Sequence, residues 1–531
     1  MNESSFGGLR LVVFVAFIAL SLALTAWASR RARGSAGFFV AGRNLSGLQN
    51  GLAISGDFMS AASFLGVTGL VALYGFDGLV YQVGFIAGWL LIMLVVAEPV
   101  RNCGKYTLSD VVALRLSGRP VRAATAGVSL LIALVYLLAQ LVGAGALAAL
   151  LLQVGANTAI LLVGVLMMAY VLLGGMVAAT YVQIVKAVLV WTAAVGLLVL
   201  SLAHFSFDFG ALFGKARDAA LHPTRYLMPG AYFRNPVDTL SLALALVLGT
   251  AGLPHVMTRF YTVPSAVAAR QSARVALGVM TTFAVVVCLL GFCASAIVGP
   301  DAILAESPSG NSAIMLLALS LGGGAGSIGG ELLLAGVSVI AFATILAVVA
   351  GIMISSAATV AHDIFGTLVF RGDMPERRQV AIGRMATATL AAVAVGIALL
   401  VKSLNVAFLV GLAFSLAASA NLPVILLSLF WRRFNDAGAI AGVVAGTVTS
   451  VGLVLVGPAV MGPNGLLATS LKPLFPLANP GIVSIPCGFA AAWLVALLTD
   501  RNSERHTRDA NFDAQQLRML SGYGAEQASH H

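Results

Sequence analysis

Residues Gln49 to Gly69 read QNGLAISGDFMSAASFLGVTG, and they pose a physical problem. The stretch lies within a long apolar segment, yet it carries the carboxylate of Asp57 and the hydroxyls of Ser55, Ser60, Ser63 and Thr68. Gly51, Gly56, Gly66 and Gly69 weaken it further as a helix, since each glycine costs about 1 kcal/mol relative to alanine in a helix interior. An acid at membrane depth costs about 3 kcal/mol or more on insertion scales and marks a functional site. Opened backbone at that depth survives only where it is buried in protein or lines a cavity.

That the surroundings are a membrane follows from composition. The chain has 531 residues, 60% hydrophobic and 9% charged, with a mean hydropathy of +0.99. Soluble domains carry about 25% charged residues, so this is a polytopic integral membrane protein. Its apolar runs of spanning length are 9–29, 48–72, 79–100, 122–146, 157–176, 180–203, 237–257, 273–299, 330–361, 383–401, 406–430, 437–457 and 479–499, thirteen spans in all. These continuous runs predict helices and exclude a strand barrel, whose segments are short and alternating. No cleavage-site pattern precedes the first run, which reads as a retained helix. The net charge of +10 implies no nucleic-acid partner, because basic residues in such a chain mark cytoplasmic loops. With the N-terminus outside, 23 of the 30 Lys and Arg residues fall on the cytoplasmic side. Lys186, near the inner end of the sixth span, is expected to snorkel to the interface. Cys103, Cys288, Cys293 and Cys487 match no metal or disulfide spacing and read as free thiols. No nucleophile–base or metal-ligand constellation suggests an enzyme.

A second interruption stands at LVLGTAGLPHVMTRF, Leu246 to Phe260, with Gly249, Gly252 and Pro254. Proline costs about 3 kcal/mol in a helix interior and removes a backbone donor. The two breaks fall in the second and seventh spans, an odd offset that places the halves in opposite orientation. Paired breaks in inverted halves point to the binding site of a secondary transporter. The plainer alternative is a pair of close-packing glycine faces, which explains neither Asp57 nor the Pro254–His255 pair.

Four further stretches resemble a known family: FFVAGRNL (Phe38–Leu45), YTLSDVVALRL (Tyr106–Leu116), LLGGMVAATYVQIVKAV (Leu172–Val188) and SSAATVAHDIF (Ser355–Phe365). They are similar to the solute:sodium symporters and, within that family, to the bacterial acetate and monocarboxylate permeases. The resemblance implies an all-α leucine-transporter-type fold of 13 transmembrane helices with two inverted five-helix repeats. The expected organisation is an extra helix in 1–36, repeat 1 in 37–203 and an extracytoplasmic loop in 204–236. Repeat 2 follows in 237–433, spans 12 and 13 in 434–500, and a cytoplasmic tail in 501–531. It further implies import of acetate or a similar monocarboxylate across a bacterial inner membrane, coupled to sodium or protons and without a cofactor. A small membrane partner subunit or a homo-oligomer fits the same expectation. In sodium-coupled members, carbonyls at the first break and a hydroxyl pair in the ninth span hold the ion. Those carbonyls fall here on Gly56 and Met59, and the hydroxyl pair on Ala347 and Val348, which offer no side-chain oxygen. Thr344, one turn earlier, is the nearest replacement, and a family acid in the sixth span becomes Gln183.

Asp57 therefore reads as a cation ligand, a proton carrier or a cap for the amides of the following half-helix. A carboxylate substrate needs donors. Candidates are Ser60, Ser63 and Phe64 beyond the first break, Thr250 and Gly252 at the second, Tyr136 and Gln140 four apart in the fourth span, Gln82 and Asn421. His255 is a proton or gating candidate. A channel, a sensor or uptake of another small solute are the competing readings. Reporter fusions should place the N-terminus outside and the C-terminus inside, and both ends on one side would refute thirteen crossings.

Overall fold

The computed structural model describes residues 3–29, 34–116, 118–173, 175–371, 374–402, 404–462, 465–467, 471–500 and 505–524. Arg30, Arg31, Arg33 and Arg501 of the charge pattern, and residues 502–504 and 525–531 of the expected tail, lie outside them. Each apolar run holds a helix, and no strand occurs among the described residues. The helices are α1 (Glu3–Ser29), α2a (Gly47–Phe58) with α2b (Ala62–Tyr74), α3 (Phe76–Cys103), α4 (Arg119–Leu152), α5 (Ala156–Leu173), α6 (Met176–His204) and α7 (Pro236–Thr262). They continue as α8 (Ala266–Ile297), α9 (Ile328–Val369), α10 (Glu376–Val401), α11 (Val406–Phe430), α12 (Asp436–Leu455) and α13 (Gly481–Leu498). Ten are long and apolar enough to cross a membrane and the bent pair α2a–α2b makes eleven, while Val12–Trp27 and Ala156–Tyr170 are apolar but shorter.

Helix starts are set by caps that satisfy the free amides of the first turn. Ser46 and Gln49 form a reciprocal capping box at α2a. Ser265, Asn405 and Asn435 accept from the opening amides of α8, α11 and α12. The breaks fall where the sequence weakens. Met59 leaves helical geometry at ψ 71°, and α2b departs from α2a by 56°. In α7 the chain passes through a tight turn at Thr250–Gly252 and an extended Leu253 before Pro254 restarts the helix. Helices α9 and α11 form the centre, with 78% and 89% of their apolar windows buried, so lipid meets the outer helices instead. On α10, Met385 and Leu400 are each 71% exposed and face that lipid.

The centre is dense because backbones approach closely. A side chain at Gly249 would strike the Phe414 carbonyl, and one at Gly252 the Ala417 carbonyl, the small-residue contact that replaces hydrophobic driving force between membrane helices. Four segments, Ala62–Gly66, Ile92–Val96, Thr359–Val369 and Ala417–Asn421, are π-helical turns within longer helices.

Both ends of the bundle carry polar clasps. At the end bearing most arginines, a further helix, α14 (Arg505–Ser521), docks on the bundle. Arg518 donates to the Asn102 carbonyl at 2.8 Å and Asn102 to the Met519 carbonyl at 2.9 Å, so much of the expected polar tail is a packed helix. At the opposite end, Asp77 accepts from the amides of Gly230, Tyr232 and Phe233, fastening the 204–236 loop. That loop contains the helix Phe209–Ala219, and the next contains Pro300–Glu306 and Ala313–Leu321, elements too short to span a membrane. Overpacking a dense core costs about 1–3 kcal/mol. Gly249→Val should therefore lower the thermal midpoint of the purified protein by several degrees. Gly396→Ala, with open space around it, should leave the midpoint unchanged or raise it.

Candidate functional site between the two broken helices

The breaks of α2 and α7 meet through a buried ion pair. Arg259 Nε donates to Asp57 Oδ2 at 2.5 Å, with Arg259 1% and Asp57 11% exposed. Gln183 of α6 donates to the other oxygen, Asp57 Oδ1. Arg259 also donates to Thr180 Oγ1 at 3.0 Å, and its Nη2 has no partner among the described residues. Asn50 ties the same two helices by donating to the Arg259 carbonyl at 3.0 Å and accepting from Thr262 at 3.0 Å. Gly351 of α9 borders the pair; a side chain there would come within 3.3 Å of Asp57 Oδ1.

This arrangement corrects two expectations. Asp57 does not cap α2b, whose start carries no side-chain cap; Ser63 instead ties the break together, accepting the Ser60 amide at 3.0 Å and donating to the Phe58 carbonyl at 2.6 Å. Asp57 instead answers a guanidinium, whose bond to a carboxylate is charge-assisted. Lys186 does not snorkel. It is 2% exposed, and its ammonium donates to the Thr344 carbonyl at 3.1 Å, because α9 closes its route to the interface.

The expected cation ligands are brought together only in part. Gly56 lies in regular helix against the Gln183 backbone, while Met59, at the break itself, is fully buried. Ala347 and Val348 present hydrocarbon, and the Thr344 hydroxyl donates to Ala341 O at 2.6 Å.

The substrate candidates separate into two groups. The Tyr136 hydroxyl lies beside Ser60, and its ring meets His255 with centroids 4.8 Å apart. Phe58, Phe85 and Phe414 continue this aromatic wall at 5.8 and 5.1 Å. Gln140, one turn from Tyr136 on α4, is fully buried with neither amide atom partnered among the described residues, and the same holds for His255 Nδ1. The remaining candidates bond or pack within the protein, Gln82 with its Oε1 unpartnered among the described residues. Gln82 holds the Ser63 carbonyl at 3.2 Å and Asn421 the Gly252 carbonyl at 2.9 Å. Thr250 bonds Leu246 O at 2.7 Å against Gly88, and Phe64 packs on Phe283.

One cluster escaped the sequence reading. Near the basic end, Arg122 Nη1 bridges Asp110 Oδ1 at 3.0 Å and Asp363 Oδ1 at 2.7 Å. His362 lies 3.1 Å from Asp110, and Thr107 donates to Asp363 at 3.0 Å. Burial opposes the charge on Asp110, but His362 and Arg122 hold its carboxyl below the usual carboxylate range. The signal was present in YTLSDVV and AHDIF, where acids sit beside apolar spans. Two surface cavities, one lined by Tyr74, Tyr232 and Asn405 and one by Glu306, Asn311 and Lys402, lie at the opposite end, away from the breaks.

Two opposed helix breaks around buried polar groups define a secondary transporter. Known structures share this architecture. A sodium-coupled sialic acid symporter superposes with a TM-score of 0.70 at 13% identity, covering 93% of this chain and 98% of that one. Mhp1, a nucleobase-cation-symport-1 family transporter, gives 0.55 at 12% identity, covering 94% and 100%. The fold is therefore of the leucine-transporter type. The chain belongs to the sodium:solute symporter family, whose model matches residues 38–446. It is 44% identical over 527 residues to the uncharacterized symporter YwcA of Bacillus subtilis (strain 168), covering 99% of this chain and 100% of that one. It is 41% identical to the monocarboxylic acid transporter of Corynebacterium glutamicum, covering 98% and 96%. The family consists of transporters rather than enzymes.

Removing one partner of a buried ion pair costs about 3–5 kcal/mol. Asp57→Asn and Arg259→Gln should each depress the thermal midpoint strongly. The double variant should recover part of that loss, and a fully additive double variant would show that the two charges do not support one another.

Proposed function

We propose that this symporter imports acetate and related short monocarboxylates, coupled to a cation, across a bacterial plasma membrane with its N-terminus outside. The observation that carries the reading is the Gln140 amide. A buried amide without partners costs about 1–3 kcal/mol, and both Gln140 atoms are in that state within one turn of Tyr136. A carboxylate entering beside Tyr136 and Ser60 would accept from the Gln140 Nε2 donor and the two hydroxyls. The aromatic wall of Phe58, Phe85 and Phe414 suits a short apolar tail rather than a polar solute. The 41% identity to a monocarboxylic acid transporter supports the same substrate class. Uptake of another small organic solute by the same symport mechanism is the second reading.

Proteoliposomes should accumulate radiolabelled acetate, propionate should compete, and acetamide, which lacks the carboxylate, should not. Gln140→Leu should raise KM for acetate about tenfold, the equivalent of one lost hydrogen bond to a charged group. Equal competition by acetamide, or an unchanged KM in Gln140→Leu, would overturn this assignment.

A further inference from the structure

The sodium that this family name implies has a poor seat in this chain. The ninth helix offers methyl groups at Ala347 and Val348 where hydroxyls would be needed. The Thr344 hydroxyl is turned to Ala341 O at 2.6 Å. Asp57, the one carboxylate among the expected ligands, has one oxygen on Arg259 and the other on Gln183, which leaves the Gly56 and Met59 carbonyls. Sodium needs several oxygen ligands, and the donor set here falls short.

The Thr344 backbone already receives a lysine side chain. Lys186 enters from α6, between α2 and α9, and its ammonium donates to the Thr344 carbonyl at 3.1 Å. One turn earlier, Gln183 packs its backbone against Gly56 and its amide on Asp57. Lys186 is 2% exposed, and the charged groups acting on it are Asp57 from α2 and Arg259 from α7. Asp57 and Arg259 neutralise each other, so a protonated Lys186 gives this region one positive charge that the pair does not offset. A buried ammonium is costly without a counter-charge. An incoming carboxylate supplies that charge, as it would opposite a bound sodium.

We propose that the Lys186 ammonium is a resident cation that stands in for co-transported sodium between α2, α6 and α9, so that substrate binding and transport proceed without sodium. The inference rests on the monocarboxylate reading above, and sodium dependence is measured separately from transport itself. It leaves the proton as the coupling ion.

The test uses the purified full chain in detergent and in proteoliposomes, with acetate as probe and choline replacing sodium. Thermal-shift binding should give the same acetate affinity in sodium and in choline, within twofold. An inward proton gradient should drive accumulation equally in both salts, and acetate should drive no flux of radioactive sodium. Lys186→Ser vacates the ammonium and should lower acetate affinity at least tenfold in choline, with sodium recovering part of the loss; Lys186→Arg, which keeps the charge, should resemble the parent. Should Lys186→Ser fail to fold, the parent measurements decide alone. Sodium that raises parent affinity tenfold, or a sodium gradient that by itself drives accumulation, would overturn the proposal. Acetate transport that is absent under every gradient would instead refute the substrate assignment.

Discussion

The buried pair of Asp57 and Arg259 sets the terms for the rest of this molecule. Neither charge is tolerable alone at membrane depth, so the two helices that carry them must meet. They meet beside the break of each. A continuous α2 would keep its next turn where Met59 and Ser60 now swing away, and a continuous α7 would lack the step at Leu253 that precedes the arginine's short helix. Asn50 repeats the tie at the level of backbone and side chain. The close glycine contacts of α7 with α11 follow from the same demand, because the break of α7 has to be buried in protein rather than lipid.

Much of the fold was legible in the chain itself. Each of the thirteen apolar runs holds helix, ten or eleven of them long and apolar enough to cross a membrane, and both interruptions stand where glycine, proline and buried polar residues coincide. What stayed hidden were partners. Asp57 and Arg259 are 202 residues apart, and no local pattern pairs them. Arg259 follows a proline near the end of an apolar run, where hydropathy assigns it to the interface. The break in α7 draws it inward. Lys186 was misread for a related reason: snorkelling was inferred from depth along its own helix, whereas α9 decides whether a route to water exists. Among the substrate candidates, residue type announced polarity but not occupation. Ser63, Thr250, Asn421 and the Gln82 amide nitrogen are spent on backbone carbonyls or amides, and only the packed structure shows both Gln140 amide atoms without a partner among the described residues.

The polar clasps at the two ends differ in kind. At the end opposite the arginines, Asp77 holds main-chain amides of a loop, a contact that fixes chain path. Near the basic end, Arg122 bridges two aspartates from different elements while His362 and Thr107 attend them. Side-chain charge pairs of this sort can part and re-form without unfolding a helix. The cluster joins the π-helical end of α9 to the start of α4 and the short helix Leu108–Ala113. A movement of α9 relative to α4 would have to break it.

The π-helical turns carry a consequence for how this chain varies in length. A membrane helix is a fixed ruler: inserting one residue rotates everything beyond it by about 100° and turns packed faces toward lipid. A π turn absorbs one extra residue locally and leaves both flanks in place. Ala62–Gly66 and Ala417–Asn421 are such turns in helices α2 and α11. They are seams where a span can lose a residue by relaxing to regular helix while its neighbours keep their register. Single-residue gaps between this chain and its relatives can therefore fall inside a span, even beside a helix break, as readily as in a loop.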